Sequence, residues 1–203
     1  ITVVLGLALI VVLDLGIVYL FTGRNPSFFA KGIFPAQLLA FSTSSSAATL
    51  PVTMERVEEH IGVDKEVSSF VLPSGATINM DGTSLYQAIA AVFIAQVLGF
   101  DLTIGAQLSI VMTATLASIG SAAVPGAGML MLVVVLEQIG VPAAGIALIF
   151  AIDRPLDMCR TITNVTGDAM VATVVAGSLG KLRKPNTKEW DDYIVDLSYV
   201  FFN

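Results

Sequence analysis

From Ala106 to Ile152 the only ionisable side chain is Glu137. A hydrocarbon core needs about 20 apolar residues per helical span, so this stretch is long enough for two passes. In lipid, only helices and closed barrels satisfy the backbone polar groups. Long apolar runs without period-2 alternation select helices. Composition agrees: of 203 residues, 55% are hydrophobic and 13% charged, against about 25% charged in a soluble domain. Mean hydropathy is +0.84. The expected class is an all-α membrane protein. The net charge of −6, with no basic cluster interleaved with aromatics, excludes a nucleic-acid binder. The single cysteine, Cys159, excludes an internal disulfide framework. No basic n-region precedes the first apolar stretch, so it does not read as a signal peptide. A chain that starts inside apolar sequence is expected to be part of a longer one.

The pattern divides into six blocks. Residues 1–22 read as a full membrane helix whose one charge is Asp14. Residues 28–60 contain two half-length segments that meet at Ser42-Thr43-Ser44-Ser45-Ser46, a polar tip of small residues. Such a pair is expected to form a re-entrant hairpin, which is tolerated only where protein or a watery cavity lines it. Residues 66–100 are a helix broken at Asn79-Met80-Asp81-Gly82-Thr83. Residues 104–139 form a second half-length pair around Gly120-Ser121-Ala122-Ala123-Val124-Pro125-Gly126. After a loop from Gly140 to Ala144, residues 142–180 hold the last membrane helix, with Pro155 read as its start. Residues 181–203 form a polar tail. Lys181, Arg183, Lys184 and Lys188 follow the last span closely, which predicts a cytoplasmic C-terminus.

The two halves echo each other. Ser46-Ala47-Ala48-Thr49-Leu50-Pro51 is matched by Ser121-Ala122-Ala123-Val124-Pro125, and each is followed downstream by Asn-x-x-Gly, at Asn79 and again at Asn164. Small residues recur in any membrane helix for close packing, but here two different signals recur in the same order. Interrupted hydrophobic segments at corresponding positions of inverted repeats point to a transporter site near the bilayer midplane.

The last helix carries Asp157, Arg160, Thr161, Asn164 and Asp168, spaced i, i+3, i+4, i+7 and i+11 and therefore on one face. Each charge costs about 2.5–3.5 kcal/mol at a helix centre in the membrane. A purely structural Asp157–Arg160 pair would leave Asn164 and Asp168 without a role. Arg160 offers a planar fork for a carboxylate, Asp157 an acceptor for an ammonium, and Asn164 an amide of either sense. Asp168, with Asn79 and the carbonyls near Gly75 and Asn79, makes an all-oxygen site for a hard monovalent cation. The tips at Ser45 and Ser46 and around Val124 are expected to offer free backbone N–H groups to an anion. A serine nucleophile lacks a base, because the lone histidine, His60, reads as a solvated surface residue. Met80, Met112, Met129 and Met131 read as packing residues, and the role of Asp14 is open.

Taken together, Ser44 to Pro51, Asn79 to Thr83, Gly120 to Gly126 and Asp157-x-x-Arg160-Thr161-x-x-Asn164-Val165-x-Gly167-Asp168 resemble the motifs of the dicarboxylate/amino acid:cation symporters, in order and over roughly residues 1–184. The resemblance implies an elevator-type transport domain with two re-entrant hairpins, working within a homotrimer in the plasma membrane. Members are about twice as long as this chain. By matching position, Ser46, Thr83, Val124, Gly128, Asp157, Arg160, Thr161 and Asn164 would contact substrate. Gly75, Asn79, Asn164 and Asp168 would hold one Na+. Thr77, Met80, Ser118, Ile119 and Ser121 would hold a second, closed by the second hairpin, and Asn79 with Asp81 would join a third. Arg160, Asp157 and Asp168 together imply L-aspartate or L-glutamate with Na+. Neutral amino acid relatives lack the arginine, dicarboxylate carriers usually lack the first aspartate, and proton-coupled members often have asparagine for the second. The chain departs from the pattern in lacking the further arginine that many members carry at the position of either Ser44 or Met158, and at Ala123, where glycine is common.

Three other readings compete. A proton-coupled C4-dicarboxylate or amino acid carrier is separated by exchanging the coupling cation. An ion channel would pass current without stoichiometric substrate movement. An intramembrane enzyme is the weakest, for want of a catalytic base.

Overall fold

The computed structural model describes residues 1–183, so the tail expected over 181–203 lies outside the described residues from 184 onward. Among the described residues the protein is all-helical apart from one isolated bridge, Val63 with Leu182. The helices are α1 (Thr2–Thr22), α2 (Pro26–Thr43), α3 (Ser46–Glu55), α4 (Lys65–Ile78), α5 (Asp81–Val97), α6 (Ile104–Ile119), α7 (Ala127–Gln138) and α8 (Phe150–Ser178). A π-helical turn, Arg56–Ile61, continues α3, and a 3-10 segment, Ala143–Leu148, precedes α8.

Local chemistry sets most boundaries. Asn25 caps α2 by accepting from Ser27 N at 2.8 Å, with Pro26 in the first turn, where its missing N–H costs nothing. Ser45 caps α3 through Ala48 N, Asp64 caps α4 through Glu66 N, and Thr103 caps α6 through Ala106 N. The turn between α2 and α3 needs Ser44 in the left-handed region at φ 53, the one non-glycine there among the described residues.

α8 is the central element and touches α1, α2, α3, α4 and α5. Two apolar cores flank its polar middle. One joins α5, α6 and α7 through Ile94, Ile110, Leu132 and Leu136, with Leu156 of α8 against it. The other joins α2, α4 and the far half of α8 through Phe29, Ile33, Leu72, Ala169 and Ala172. Asp157 to Asp168 run between the two, so the site's side chains are held by packing on both sides. α1 is long and apolar enough to cross a membrane, and it exposes Leu5, Leu9, Val12 and Leu20 outward. α6 and α7 are shorter apolar helices with Ile104, Leu108, Leu116 and Leu130 exposed. Apolar exposure on this scale suits a lipid-facing surface.

Three sequence expectations change. Pro155 does not start the last helix. α8 begins at Phe150, because the 3-10 segment feeds it directly through Ile152 N to Ile149 O at 3.1 Å. Pro155 is tolerated because the bond it forfeits is one near the helix start. The region read as loop up to Ala144 enters that 3-10 segment at Ala143. His60 is not a surface residue: it is 4% exposed, in the π-helical turn packed against α2. Its Nε2 lies 2.8 Å from Arg56 Nη1, and Arg56 Nε donates to Gly32 O at 2.8 Å. The wider turn brings both side chains inward.

The end of α8 is clasped to the loop after that turn. Asp64 N donates to Lys181 O at 3.1 Å and Arg183 N to Gly62 O at 2.8 Å. Lys181 pairs with Glu66, whose hydrogen bond raises the Lys181 ammonium above its ordinary pKa. This exposed pair adds little to stability. The backbone bonds fix where α8 ends.

Candidate functional site

Arg160 is the organising residue. It is 1% exposed, stacks on the Tyr86 ring at 4.0 Å and donates from Nη2 to Asp157 Oδ1 at 2.7 Å. The same nitrogen lies 3.5 Å from Asp153 Oδ1, and Tyr86 Oη donates to that oxygen at 2.7 Å. Nε and Nη1 are buried with no hydrogen-bond partner among the described residues. Nη1 points at α7: a Cβ on Gly128 would lie 2.6 Å from it, so this position has room only for glycine. A buried guanidinium with unsatisfied donors is costly on its own. It is suited to receiving a planar anion.

Asp157 links Arg160 to the turn between α6 and α7. Its Oδ2 accepts from Gly126 N at 2.8 Å, and Gly126, at φ 80, turns the chain into α7. Asn164 reaches the helix break on the opposite side. Its Nδ2 donates to Thr83 Oγ1 at 3.0 Å, and its Oδ1 accepts from Gly82 N at 2.9 Å. Gly82 N also donates to Asp81 Oδ1 at 2.8 Å.

Between these groups lies a cavity of about 20 Å³ lined by Ser46, Met80, Thr83, Ser121, Val124, Gly128, Thr161 and Asn164, among others. That is room for about one water. The structure therefore brings six of the substrate candidates to one cavity (Ser46, Thr83, Val124, Gly128, Thr161 and Asn164), with Asp157 and Arg160 bonded just behind it. Thr161 Oγ1 donates back to Asp157 O at 2.9 Å.

Ser45 is placed differently from the expectation. Its hydroxyl donates to Ala123 O at 2.7 Å and accepts from Ala48 N at 3.1 Å, so it ties the two tips together and caps α3. The tip's backbone is not free either. Ser45 N donates to Thr43 Oγ1 at 3.3 Å, and Ala47 N to Ala123 O at 3.4 Å. The two tips meet in the tertiary structure, and each supplies what the other lacks.

The cation candidates fall into two groups. Asn79 Nδ2 donates to Asp168 Oδ1 at 3.1 Å, and a Cβ on Gly75 would meet that oxygen at 2.5 Å. Gly75, Asn79 and Asp168 are thus in contact, with Asp81 and Asn164 joined through Gly82. The other set is dispersed. Thr77 and Ile119 are exposed, Thr77 Oγ1 donates to Ser74 O at 3.0 Å, and Ser118 Oγ donates to Thr115 O at 2.8 Å. Of this set Met80 and Ser121 share the cavity, and Ser121 Oγ is buried with no hydrogen-bond partner among the described residues.

Sequence reasoning missed Asp153, Tyr86 and the Ala123 carbonyl. Asp153 had a signal: it precedes Asp157 by i, i+4 and so extends the same stripe by one turn. Tyr86 had a weaker one, its i, i+3 spacing from Thr83. A backbone carbonyl leaves no mark in a sequence.

Residues 1–178 match the pattern of the "Sodium:dicarboxylate symporter family". "Excitatory amino acid transporter 1" of Rattus norvegicus is 51% identical over 176 residues, covering 86% of this chain and 32% of that protein. "Excitatory amino acid transporter" of Caenorhabditis elegans is 49% identical over 176 residues, 86% of this chain and 35% of that protein. "Excitatory amino acid transporter 5" of Homo sapiens is 49% identical over 177 residues, 87% and 32% respectively. The chain spans about a third of the length of these curated relatives. By name these are transporters and not enzymes. With the four motifs in order and a match running from the first residue to the end of α8, the chain belongs to the sodium:dicarboxylate symporter family.

Proposed function

We propose that the protein is a Na+-coupled symporter of acidic amino acids, L-aspartate or L-glutamate. The observation that carries this reading is Arg160, buried, with two unpartnered donors beside the acidic Asp157. Arg160 receives the side-chain carboxylate of the substrate bidentately, and Asp157 receives its ammonium. Thr83, Thr161 and Asn164 complete the polar lining. A pocket with both a cation and an anion for ligand suits an amino diacid better than a C4-dicarboxylate, which has no amine for Asp157.

Sodium is cargo in this reading. Gly75, Asn79 and Asp168, which are in contact, hold one ion together with Asn164, and Asn79 with Asp81 contributes to another. Met80 and Ser121, with Thr77, Ser118 and Ile119, form a site that assembles when the second tip closes. The α2–α3 and α6–α7 pairs act as re-entrant hairpins in inverted repeats of a multi-pass plasma-membrane protein, with a cytoplasmic C-terminus after the basic cluster. The cavity holds about one water, so admitting an amino acid requires one tip to move. An elevator-like movement of this unit within a homotrimer then exchanges the site between the two sides.

The test is binding of aspartate and glutamate to the purified full-length protein, with and without Na+, for the native chain and Arg160→Ala. Sodium-dependent binding weakened at least about 30-fold in the variant is expected, since truncating one partner of a buried charge pair costs about 2–5 kcal/mol. Sodium-independent binding would move the reading to proton coupling. Binding of C4-dicarboxylates in place of amino acids, or no binding at all, would sink it.

A further inference from the structure

Asp14 is the buried acid that the reading so far leaves unused. The buried residues of α1 are Leu7, Asp14 and Val18, one stripe on a helix otherwise exposed. A carboxylate on that stripe is costly unless it meets a counter-charge.

Packing places Asp14 at the level of the α4–α5 break. Toward one end of α1, a Cβ on Gly6 would lie 2.7 Å from Leu85 of α5. Toward the other end, Thr22 lies against α8, its Cγ2 3.0 Å from where a Cβ on Gly177 would be. Asp14 is midway between these contacts. Further along α8, Gly167 faces the break: a Cβ there would be 2.8 Å from Asn79 Nδ2 and 3.3 Å from Asp81 Oδ2.

Asp14 and Asp81 are close enough to interact electrostatically, and so are Asp81 and Asp168. Asp14 is 3% exposed, and its Oδ2 has no hydrogen-bond partner among the described residues. The ion pairs among the described residues are made by Arg154, Arg160 and Lys181, and none reaches Asp14, Asp81 or Asp168. Asp14 and Asp81 therefore stand at the same level of the break, where the Asn79 amide is bonded to Asp168. Buried like charges repel, and a cation held between their oxygens relieves the repulsion.

We propose that Asp14 is a further anionic ligand for the monovalent cation at Asn79 and Asp81, which makes α1 part of a cation site. The inference rests on the sodium-coupled reading above.

The experiment is a Na+ titration of the full-length protein in lipid vesicles, read by aspartate binding and by protection from thermal unfolding. Asp14→Asn is expected to raise the half-saturating Na+ concentration about tenfold, with aspartate affinity at saturating Na+ unchanged and the melting temperature without Na+ equal to or above the native one, because one repelling charge is gone. Asp14→Glu is expected to recover part of the loss. A wild-type protein that needs sodium, with an unchanged titration in Asp14→Asn, overturns the role of Asp14 and leaves the symporter reading standing. A wild-type protein indifferent to sodium overturns both. A lower melting temperature without Na+ that accounts for the whole shift makes Asp14 structural and overturns its role as a ligand. Should Asp14→Asn fail to fold, Asp14→Glu decides: a changed ratio of Na+ to Li+ half-saturation supports the proposal, and an unchanged ratio overturns it.

Discussion

Asp157 accepts from Arg160 Nη2 at 2.7 Å through one carboxylate oxygen and from Gly126 N at 2.8 Å through the other. One side chain thus holds both Arg160 and the turn into α7. In the proposed symporter an ammonium arriving at Asp157 would compete with both partners, which would couple occupation of the site to release of the second tip.

Asp157→Asn keeps the shape and removes the charge. Affinity for aspartate is expected to fall about 30-fold or more, in line with losing a buried charge partner. A C4-dicarboxylate, with no amine, is expected to lose much less. Competition binding with the two ligand classes checks this. Equal losses for both would mean that Asp157 acts only by positioning Arg160.

Gly75→Ala places a methyl 2.5 Å from Asp168 Oδ1. Backbone and a carboxylate held by Asn79 leave little freedom to yield, and overpacking of this kind costs about 1–3 kcal/mol. The expected result is a higher half-saturating Na+ concentration together with a lower melting temperature. Asp168→Asn should reproduce the first effect with less of the second. A Gly75→Ala protein with native sodium dependence would remove Asp168 from the cation site.

Ser45→Ala deletes the hydroxyl that bonds Ala123 O and caps α3. Loss of a cap costs about 0.5–2 kcal/mol. The tip-to-tip bond adds about 0.5–1.5 kcal/mol. Stopped-flow measurements are expected to show faster substrate release, with Ser45→Thr close to native. Native release kinetics in Ser45→Ala would show that the tips are held by packing alone.

Much of the site was legible because its residues share one helix. Asp157, Arg160, Asn164 and Asp168 follow the period of α8, and all four are buried in the structure. The break at Asn79 and Met80 was equally plain, since Asn-Met-Asp-Gly interrupts two apolar runs. α6 covers Ile104–Ile119 within the half-length pair read over residues 104–139, and the structure adds its Thr103 cap. The helix start at Pro155 was misread because a proline near a helix start marks a first turn only when nothing upstream feeds the helix, and the 3-10 segment does.

What one helix can encode was readable along the chain: an all-α class, where its apolar runs break, and which polar groups lie on a common face. These follow from hydrophobicity, periodicity and capping, all of them local. Which groups meet across helices came from the packing of the helices. It placed Tyr86 and Asp153 on Arg160, the Ala123 carbonyl on Ser45, and His60 inside against α2. It also brought Asp14 toward Asp81. Such pairings depend on the angles and depths at which helices pack, and a periodicity along one helix carries no information about its neighbour's register.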